Sequence, residues 1–321
     1  MIDLGKIKNL ADWPKVRKEI QAAVLSVLGE MPQERAELQV KVLDEESFTG
    51  YVRKRISYFV DEWERVSAWF FLPEGKEDVP AVLCCHRTVP QGKDEPAGIE
   101  GDPTLAFARH YAELGYATLT PDCITAGERV GYNLEPYDTS NFYKDYPKMS
   151  ALGKMLWDHF HAVDVLCEVR RVDSARIGVI GHSLGGHNAL LLAAFDERIQ
   201  ACVASCAFTR FADDKTPERW VRSKDFVCLP KLAQAVKTGR FPFDWEHILA
   251  LTAPNPTLLL ASANDKGLSN AESCEKAVKA AQRIYRLLSA PSALEVRTHN
   301  FGHGMTAEAV QAADDWFERW L

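Results

Sequence analysis

Signals for a membrane, a secretory route or a nucleic-acid partner are scarce in this chain. No apolar run approaches the roughly 20 residues needed to cross a bilayer, and residues 1–10 lack the basic-then-apolar layout of a secretory signal. The formal net charge is −7, with acidic and basic residues interspersed, so no surface for a phosphate backbone is indicated. We therefore expect a cytoplasmic protein with neither a membrane nor a nucleic-acid partner.

Metal-binding cysteine patterns and internal repeats are also lacking. The eight cysteines are scattered through apolar segments without the spacing of a metal site. A chain of 321 residues with 46% hydrophobic residues buries a sizeable core without a disulfide framework. We expect buried free thiols in a reducing compartment.

The first part of the chain predicts a helix followed by antiparallel strands. Residues 11–28 carry a helical apolar stripe within an N-terminal extension, 1–35, that packs on the main domain or on another subunit. A homo-oligomer through this helix is thus one expectation. Three strands with acidic turn residues between them are predicted at 38–43, 52–60 and 66–72.

From residue 79 onward, strands alternate with helices. A continuous apolar run at 79–85 indicates a central strand buried on both faces. The fold class is therefore α/β, with a mostly parallel central sheet, antiparallel N-terminal strands and helices on both faces, in a domain spanning 36–321. Further strands are predicted at 117–120, 177–180 (directly before Gly181), 201–205, 256–261 and 294–297, and helices at 104–114, 149–169, 188–194, 271–288 and 306–321.

Two stretches, at about 124–148 and 208–245, are too long for plain connections. The first is rich in Tyr, Asn, Asp and Pro, and the second combines charged residues with Trp and Phe. Long ordered insertions on such a scaffold are usually functional. We expect them to cover the site, without predicting whether they form a mobile lid.

The most informative segment is Gly181-His182-Ser183-Leu184-Gly185, between an apolar strand and an Ala/Leu-rich helix. Gly-x-Ser-x-Gly in this context is the nucleophile elbow, a tight turn that exposes the serine hydroxyl. A Cβ at either flanking glycine would collide with the neighbouring strand or helix. Ser183 is therefore the predicted nucleophile.

A serine nucleophile needs a general base and an orienting acid, which follow it in the order Ser, Asp/Glu, His. Asp265 lies just beyond a strand end, where open parallel sheets present their sites, and we predict it to be the acid. Both His299 and His303 follow the next strand, and the glycines beside His303 favour it as the base. Asp213 and Asp214 are alternative acids in what reads as a solvated loop.

The oxyanion of the tetrahedral intermediate needs backbone N–H donors. One is predicted to be the amide of Leu184, and the other the amide of Arg87, with Thr88 as the alternative. His86 is expected to hold this loop, and His182 and His187 are expected to be structural.

These segments resemble the α/β-hydrolase superfamily, in particular the esterases grouped around dienelactone hydrolase and acetyl xylan esterase. The resemblance spans about residues 65–320 and includes Cys-Cys-His-Arg-Thr at 84–88, Pro121-Asp122 and Gly127-Glu128-Arg129. It implies the α/β-hydrolase fold and a serine hydrolase of carboxylic esters, with Ser183, Asp265 and His303 as the triad and neither metal nor organic cofactor. Dienelactone hydrolases use a cysteine nucleophile, so the serine here argues against that lactonase chemistry.

The sequence thus predicts a serine carboxylesterase that acts on a small ester, with acetyl groups suggested by the resemblance. Two alternatives stay open: a serine peptidase of the prolyl-oligopeptidase kind, and a non-catalytic binding module with this fold. Glu128 and Arg129 are expected to pair with each other beneath the site. The natural ester and the oligomeric state are not predicted.

Overall fold

A computed structural model of the chain describes residues 1–32, 34–267 and 271–321. Helices and strands alternate over most of its length, joined by loops and short 3₁₀ turns. In chain order the elements are α1 (Trp13–Leu28), β1 (Lys41–Phe48), β2 (Tyr51–Phe59), β3 (Arg65–Pro73), β4 (Val79–Cys85), α2 (Phe107–Glu113), β5 (Ala117–Pro121), α3 (Phe142–Asp145), α4 (Ala151–Glu168), β6 (Val172–His182), α5 (Leu184–Phe195), β7 (Ile199–Ser205), β8 (Arg222–Ser223), β9 (Phe226–Val227), α6 (Ala233–Thr238), α7 (Trp245–Thr252), β10 (Thr257–Ser262), α8 (Ala271–Leu287), β11 (Leu294–His299) and α9 (Ala307–Trp320).

Within the described residues, the central sheet has nine strands in the order β1-β2-β3-β5-β4-β6-β7-β10-β11. The pairs β1–β2, β2–β3 and β3–β5 are antiparallel, and every later pair is parallel. The strands β4 and β7 and the second half of β6 are buried and mostly apolar, as strands covered on both faces require. The predicted α/β class with an antiparallel start is confirmed.

Helices cover both faces of this sheet. One hydrophobic cluster unites the sheet with buried residues of α4, α5, α7 and α8, and a second unites the opposite face with α2 and α9. Because the parallel strands all end at one edge, the loops after β4, β6, β7, β10 and β11 meet there. This edge carries the candidate site.

Helix α1 packs against its own chain. Its buried side chains, among them Ile20, Val24 and Leu28, belong to the main hydrophobic cluster, and Gly29 forms an isolated bridge with Met149 at the start of α4. Of the two partners that the sequence left open for this apolar stripe, the structure therefore shows the main domain.

The first strand is longer than predicted, because the acidic residues expected in a turn lie within it. Glu45 is opposite Lys54 in β2, and Glu46 is opposite Arg53; both pairs form salt bridges, at 2.8 and 2.6 Å. Opposite charges facing each other across two strands favour the pairing. The turn comes only at residues 49–50.

Helix α7, directly after the second insertion, was not predicted. All of its eight residues are buried, so the segment lacks the alternation of apolar and polar residues that marks a surface helix. Its N-terminus is capped by Asp244, which accepts a hydrogen bond from the N–H of Trp245 at 2.8 Å.

Candidate active site

The turn between β6 and α5 is made by Ser183, which has φ 55° and ψ −119°. Non-glycine residues rarely adopt such angles, and the N–H of Ser183 is held by a hydrogen bond of 2.8 Å to the carbonyl of Ser205. A Cβ on Gly185 would collide with the carbonyl oxygen of Cys85, and one on Gly181 with that of Gly185. The close packing of the turn therefore requires both glycines, as the motif indicated.

Asp265 and His303 are joined by a hydrogen bond, with 2.7 Å between Asp265 Oδ2 and His303 Nδ1. The Asp265 side chain is fully buried, whereas the imidazole is 31% exposed. The other carboxylate oxygen accepts from the N–H of Gly267 at 2.6 Å. Because an ionised carboxylate only accepts, Nδ1 carries the proton and Nε2 of the neutral ring keeps its lone pair. A general base needs this tautomer.

The imidazole of His303 lies beside the elbow. Its ring packs at an angle against that of His182, the residue before Ser183, with 4.7 Å between the centroids. Within the described parts of the chain, Ser183 Oγ makes no hydrogen bond to His303. In sites without substrate this bond is often long and tightens in the complex.

His299, the other candidate base, has different neighbours. It is the last residue of β11, and its Nε2 lies 4.0 Å from Cys206 Sγ. Its Nδ1 accepts a hydrogen bond of 3.3 Å from the N–H of Phe301. The geometry thus favours His303, which bonds to the buried carboxylate.

The loop after β4 is held from both sides by polar side chains. His86 donates from Nδ1 to the carbonyl of Arg87 at 2.7 Å, and its Nε2 accepts from the N–H of Cys123 at 2.9 Å. Burial lowers the pKa of His86, so that the ring stays neutral and can both donate and accept. Tyr137 reaches the same loop, with its hydroxyl 3.0 Å from both the Arg87 carbonyl and the Val89 nitrogen. Sequence reasoning missed Tyr137, whose only signal was an aromatic residue within an insertion.

The candidate oxyanion donors lie on this loop and on α5. The Arg87 side chain points to the buried Glu95, with Nη2–Oε1 at 2.8 Å and Nε–Oε2 at 3.0 Å, which fixes the loop at that residue. Thr88, the alternative, lines the cleft that contains Ser183. Leu184 begins α5, where the first amides have no partner within the helix.

Ser183 opens into a cleft of about 760 Å³ whose walls come from both insertions. One wall contains Tyr137, and the other contains Trp220 and Phe226. Residues of both long segments therefore line the cleft that contains Ser183. The lining residues are Thr88, Pro90, Glu135, Pro136, Tyr137, Ser183, Leu184, His187, Arg219, Trp220, Ser223, Lys224, Asp225, Phe226, Cys228 and Gly267.

His187 lies one helical turn after Ser183, and its ring packs at an angle against two tryptophans. Its ring centroid is 5.1 Å from that of Trp220 and 5.3 Å from that of Trp245. Burial lowers its pKa to about 3, so the ring is neutral near pH 7. A ring that stays neutral over the working range is suited to packing rather than to proton transfer.

Asp213 and Asp214, the alternative acids, hold the second insertion in place. Asp213 Oδ2 accepts from Ser273 Oγ at 2.8 Å, and Asp214 Oδ2 accepts from Trp220 Nε1 at 2.6 Å. The Asp214 side chain is only 3% exposed. The segment is a loop in which Ala212 and Lys215 are exposed, whereas the Asp214 carboxylate is buried against Trp220.

Glu128 and Arg129 do not pair with each other as expected. Glu128 binds Lys93 Nζ at 2.8 Å, and the same ammonium binds the buried Asp122 at 2.9 Å. Arg129 instead binds Asp158 of α4 at 2.8 Å, and Glu64. Adjacent residues in a 3₁₀ turn point in different directions, so each one joins a separate ion cluster beneath the first insertion.

Among the residues that the structure describes, the helices are too short or too polar to span a lipid bilayer. The tight turn at the half-buried Ser183 and the imidazole–carboxylate pair lie at the carboxyl edge of a mostly parallel sheet. This arrangement defines the class of the protein as a serine hydrolase with the α/β-hydrolase fold.

Comparisons with known proteins show to which family within this class the chain belongs. The family model described as "Glucuronyl esterase, fungi" matches residues 124–289, more than half of the chain, and the chain belongs to that family. It is a carboxylic ester hydrolase, and neither the peptidase nor the non-catalytic alternative is favoured.

One curated relative and two solved structures are similar over most of the chain, and the structures show the shared fold. YtaP of Bacillus subtilis (strain 168), whose name calls it a hydrolase, is 28% identical over 316 residues, which cover 95% of this chain and 100% of that protein. The structure of a glucuronoyl esterase from Solibacter usitatus superposes with a TM-score of 0.77 at 16% identity and covers 97% of this chain and 94% of its own. An acetyl xylan esterase from Paenibacillus sp. R4 has a TM-score of 0.63 at 19% identity, with 98% and 96% covered.

Proposed function

We propose that the chain hydrolyses carboxylic esters of carbohydrates through an acyl-enzyme on Ser183. The observation that carries the proposal is the 2.7 Å bond from His303 Nδ1 to the buried Asp265, with the imidazole packed beside the elbow of Ser183. A neutral imidazole with a free Nε2 lone pair next to a serine that lines the cleft is the arrangement that acyl transfer requires.

In the first half-reaction, Ser183 Oγ attacks the ester carbonyl carbon and gives its proton to His303 Nε2. Asp265 stabilises the imidazolium that forms. The tetrahedral intermediate then collapses, and His303 returns the proton to the leaving alcohol oxygen. A water molecule, deprotonated by His303, subsequently attacks the acyl-enzyme and releases the acid and free Ser183.

The negative charge of the tetrahedral intermediate needs two N–H donors. We assign one to Leu184, directly after the nucleophile, where the positive end of the α5 dipole adds to the stabilisation. The other is the Arg87 or the Thr88 amide. Support for this loop comes from His86 and Tyr137, which hold its carbonyl groups and leave it little freedom to move.

The cleft suits a sugar ester in size and composition. Its volume lies within the range of small-molecule sites. Aromatic rings of Tyr137, Trp220 and Phe226 offer apolar faces, and charged side chains at Glu135 and Lys224 offer partners for hydroxyl groups. The family name points to glucuronyl esters as the first substrate class, and the likeness to the Paenibacillus acetyl xylan esterase makes acetylated sugars the second.

A small ester panel tests the proposal. Methyl glucuronate, an acetylated xylose and p-nitrophenyl acetate are assayed with the wild type and with Ser183→Ala. We expect at least one sugar ester to be hydrolysed and Ser183→Ala to lose about 1,000-fold or more in kcat/KM. Ser26→Ala, on the exposed side of α1, is the matched control and keeps wild-type rates. Retention of most activity in Ser183→Ala contradicts the assignment of the nucleophile.

We also propose a cytoplasmic location, supported by the free state of the eight cysteines. Fractionation of the native cells with an antibody against the chain tests this location.

An oligomer through α1 would have to use the outward side of that helix, where Leu25 is exposed. Light scattering in solution distinguishes a monomer from such an oligomer.

A further inference from the structure

A buried cysteine lies directly behind the catalytic edge of the sheet. Cys206 follows β7, has φ 43° and is fully buried. Its sulfur is surrounded by weak partners at long range, with the carbonyl oxygens of Gly304 and Gly302 at 3.9 and 4.0 Å and His299 Nε2 at 4.0 Å. The mechanism above gives this thiol no role.

Two imidazoles face the same sulfur. One ring nitrogen of His182, one of His303 and the Cys206 sulfur lie within 4.8 Å of one another. His182 Nδ1 bonds to Ser205 Oγ at 3.0 Å, and His303 Nδ1 bonds to Asp265 at 2.7 Å. The nitrogens left for a further ligand are therefore the two Nε2 atoms.

His182 Nε2 supplies an independent observation. His182 is only 1% exposed, and its Nε2 is buried without a hydrogen-bond partner in the described part of the chain. A buried nitrogen without a partner is costly, and a ligand at this position would relieve the cost.

We propose that His182 Nε2, His303 Nε2 and Cys206 Sγ form a site for a thiophilic divalent cation, with Zn²⁺ as the probe, and that the bound ion inhibits the esterase. Two imidazoles and a thiolate are the donors that Zn²⁺ prefers, and a water completes the tetrahedron. The Nδ1 bonds to Ser205 and Asp265 orient the two rings as outer-shell partners do in metal sites.

To bind the ion, the three ligand atoms must move closer together than the 4.8 Å within which they lie. Tetrahedral Zn²⁺ with bonds of about 2.0–2.3 Å places its ligand atoms roughly 3.4–3.7 Å apart. His182 and Cys206 stand at the ends of the neighbouring strands β6 and β7, whereas His303 is on the loop after β11. Movement of that loop brings the third ligand in, and on binding the Cys206 thiol releases its proton to solvent.

The expected inhibition rests on the proposed function, because the metal ion and the proton of Ser183 compete for the same lone pair. The Nε2 lone pair of His303 that accepts the Ser183 proton is the one that the ion would occupy. Esterase activity should therefore fall as Zn²⁺ saturates the site and should return when a chelator is added.

Metal binding is measured separately from activity. Zn²⁺ is titrated calorimetrically into the metal-free protein, and Co²⁺ is added as a spectroscopic probe, whose near-ultraviolet charge-transfer band reports a thiolate ligand. We expect one ion per chain, the thiolate band in the wild type and at least about 100-fold weaker Zn²⁺ binding in Cys206→Ser. Cys202→Ser, which changes a buried cysteine of β7, the strand that Cys206 follows, is the matched control and should bind Zn²⁺ as the wild type does. Thermal melting verifies that both variants are folded, and His182→Gln should weaken binding as well.

The possible results distinguish a failure of the metal site from a failure of the proposed esterase mechanism. Equal Zn²⁺ affinity in the wild type and Cys206→Ser, or no thiolate band in the wild type, overturns the metal site. Thiolate-ligated metal that leaves the hydrolysis rate unchanged overturns the proposed inhibition, because the ion then does not occupy the lone pair of the catalytic base. Inhibition that is lost in Cys206→Ser while its uninhibited rate stays at the wild-type level supports both.

Discussion

At the scale of single residues, the proposed chemistry depends on a proton held at one nitrogen. The buried Asp265 carboxylate keeps the His303 proton on Nδ1 and leaves Nε2 free to accept the proton of Ser183. An amide in place of the carboxylate can donate to Nδ1, which would reverse the tautomer. The shape of the site would then be unchanged while its base is lost.

Asp265→Asn is therefore expected to lower kcat by about 10⁴-fold with little change in KM, as for other buried aspartates behind a catalytic imidazole. The measurement is steady-state hydrolysis of the best ester of the panel. Asp213→Asn, which changes a carboxylate of the second insertion in the same way, keeps its bond to Ser273 and most of its activity. A loss of less than tenfold in Asp265→Asn argues against its role.

Sequence alone could predict which residues lie close together at the site, but not the direction in which each backbone amide points. The glycines around Ser183, and the positions of Asp265 and His303 after successive strands, follow from the motif and from where parallel strands end. The choice between the Arg87 and Thr88 amides could not be made, because that loop is shaped by His86 and by Tyr137, which lies some fifty residues away. Contacts between distant segments leave no trace in local residue patterns.

At the scale of elements, the first insertion is anchored to α4 by buried ion pairs. Arg129 is 7% exposed and binds Asp158 of α4, which is 2% exposed. Lys154, also on α4, binds Asp158 and Glu64 and completes the cluster. Burial of charges in this way is stable only while each charge keeps its partners.

Arg129→Met is expected to destabilise the fold by about 3–5 kcal/mol, because it leaves the buried Asp158 and the half-buried Glu64 short of a partner. The measurement is the free energy of unfolding in urea. Arg17→Met removes an arginine whose partner, Glu197, is 87% exposed, and should change stability by no more than about 1 kcal/mol. Equal effects of the two substitutions would contradict the buried cluster.

Elements were predicted best where the pattern of apolar residues in a segment is clear. They were missed where contacts with other parts of the chain determine the structure of the segment. The apolar strands β4 and β6 were evident from composition. The acidic half of β1 was assigned to a turn because its partners, Lys54 and Arg53, are identified only by the strand register. Helix α7 was missed because it is buried all round, and Glu128 and Arg129 were paired wrongly because sequence adjacency says nothing about side-chain direction.

At the scale of the whole molecule, buried histidines make stability depend on pH. Burial lowers the pKa of His159 to about 3, whereas in the unfolded chain it titrates near 6.5. The folded state therefore binds fewer protons, and stability is full above about pH 6.5 and falls toward pH 3. Each such group contributes up to about 1.4 kcal/mol per pH unit. His187, with a pKa of about 3, adds to the effect.

His159→Gln should consequently lose less stability than the wild type between pH 6.5 and pH 4.5, as measured by urea unfolding at each pH. His110 serves as the control of opposite sign, since its hydrogen bond to Asp314 raises its pKa. Its contribution is present below pH 6.5 and is lost as pH rises through the raised value. The unfolding measurements therefore extend above pH 6.5, where the wild type should lose stability with rising pH relative to His110→Gln, whereas below pH 6.5 these two curves should run parallel. Parallel pH curves for all three proteins would contradict this account.

The most direct test of the central claim is covalent labelling by a serine-directed phosphonate, read out by intact and peptide mass spectrometry. One adduct per chain is expected, located on Ser183, absent in Ser183→Ala and formed at least about 100-fold more slowly in His303→Gln, since the hydroxyl needs its base. An adduct on another residue, or undiminished labelling of Ser183 without the imidazole of His303, would contradict a Ser183 nucleophile activated by His303.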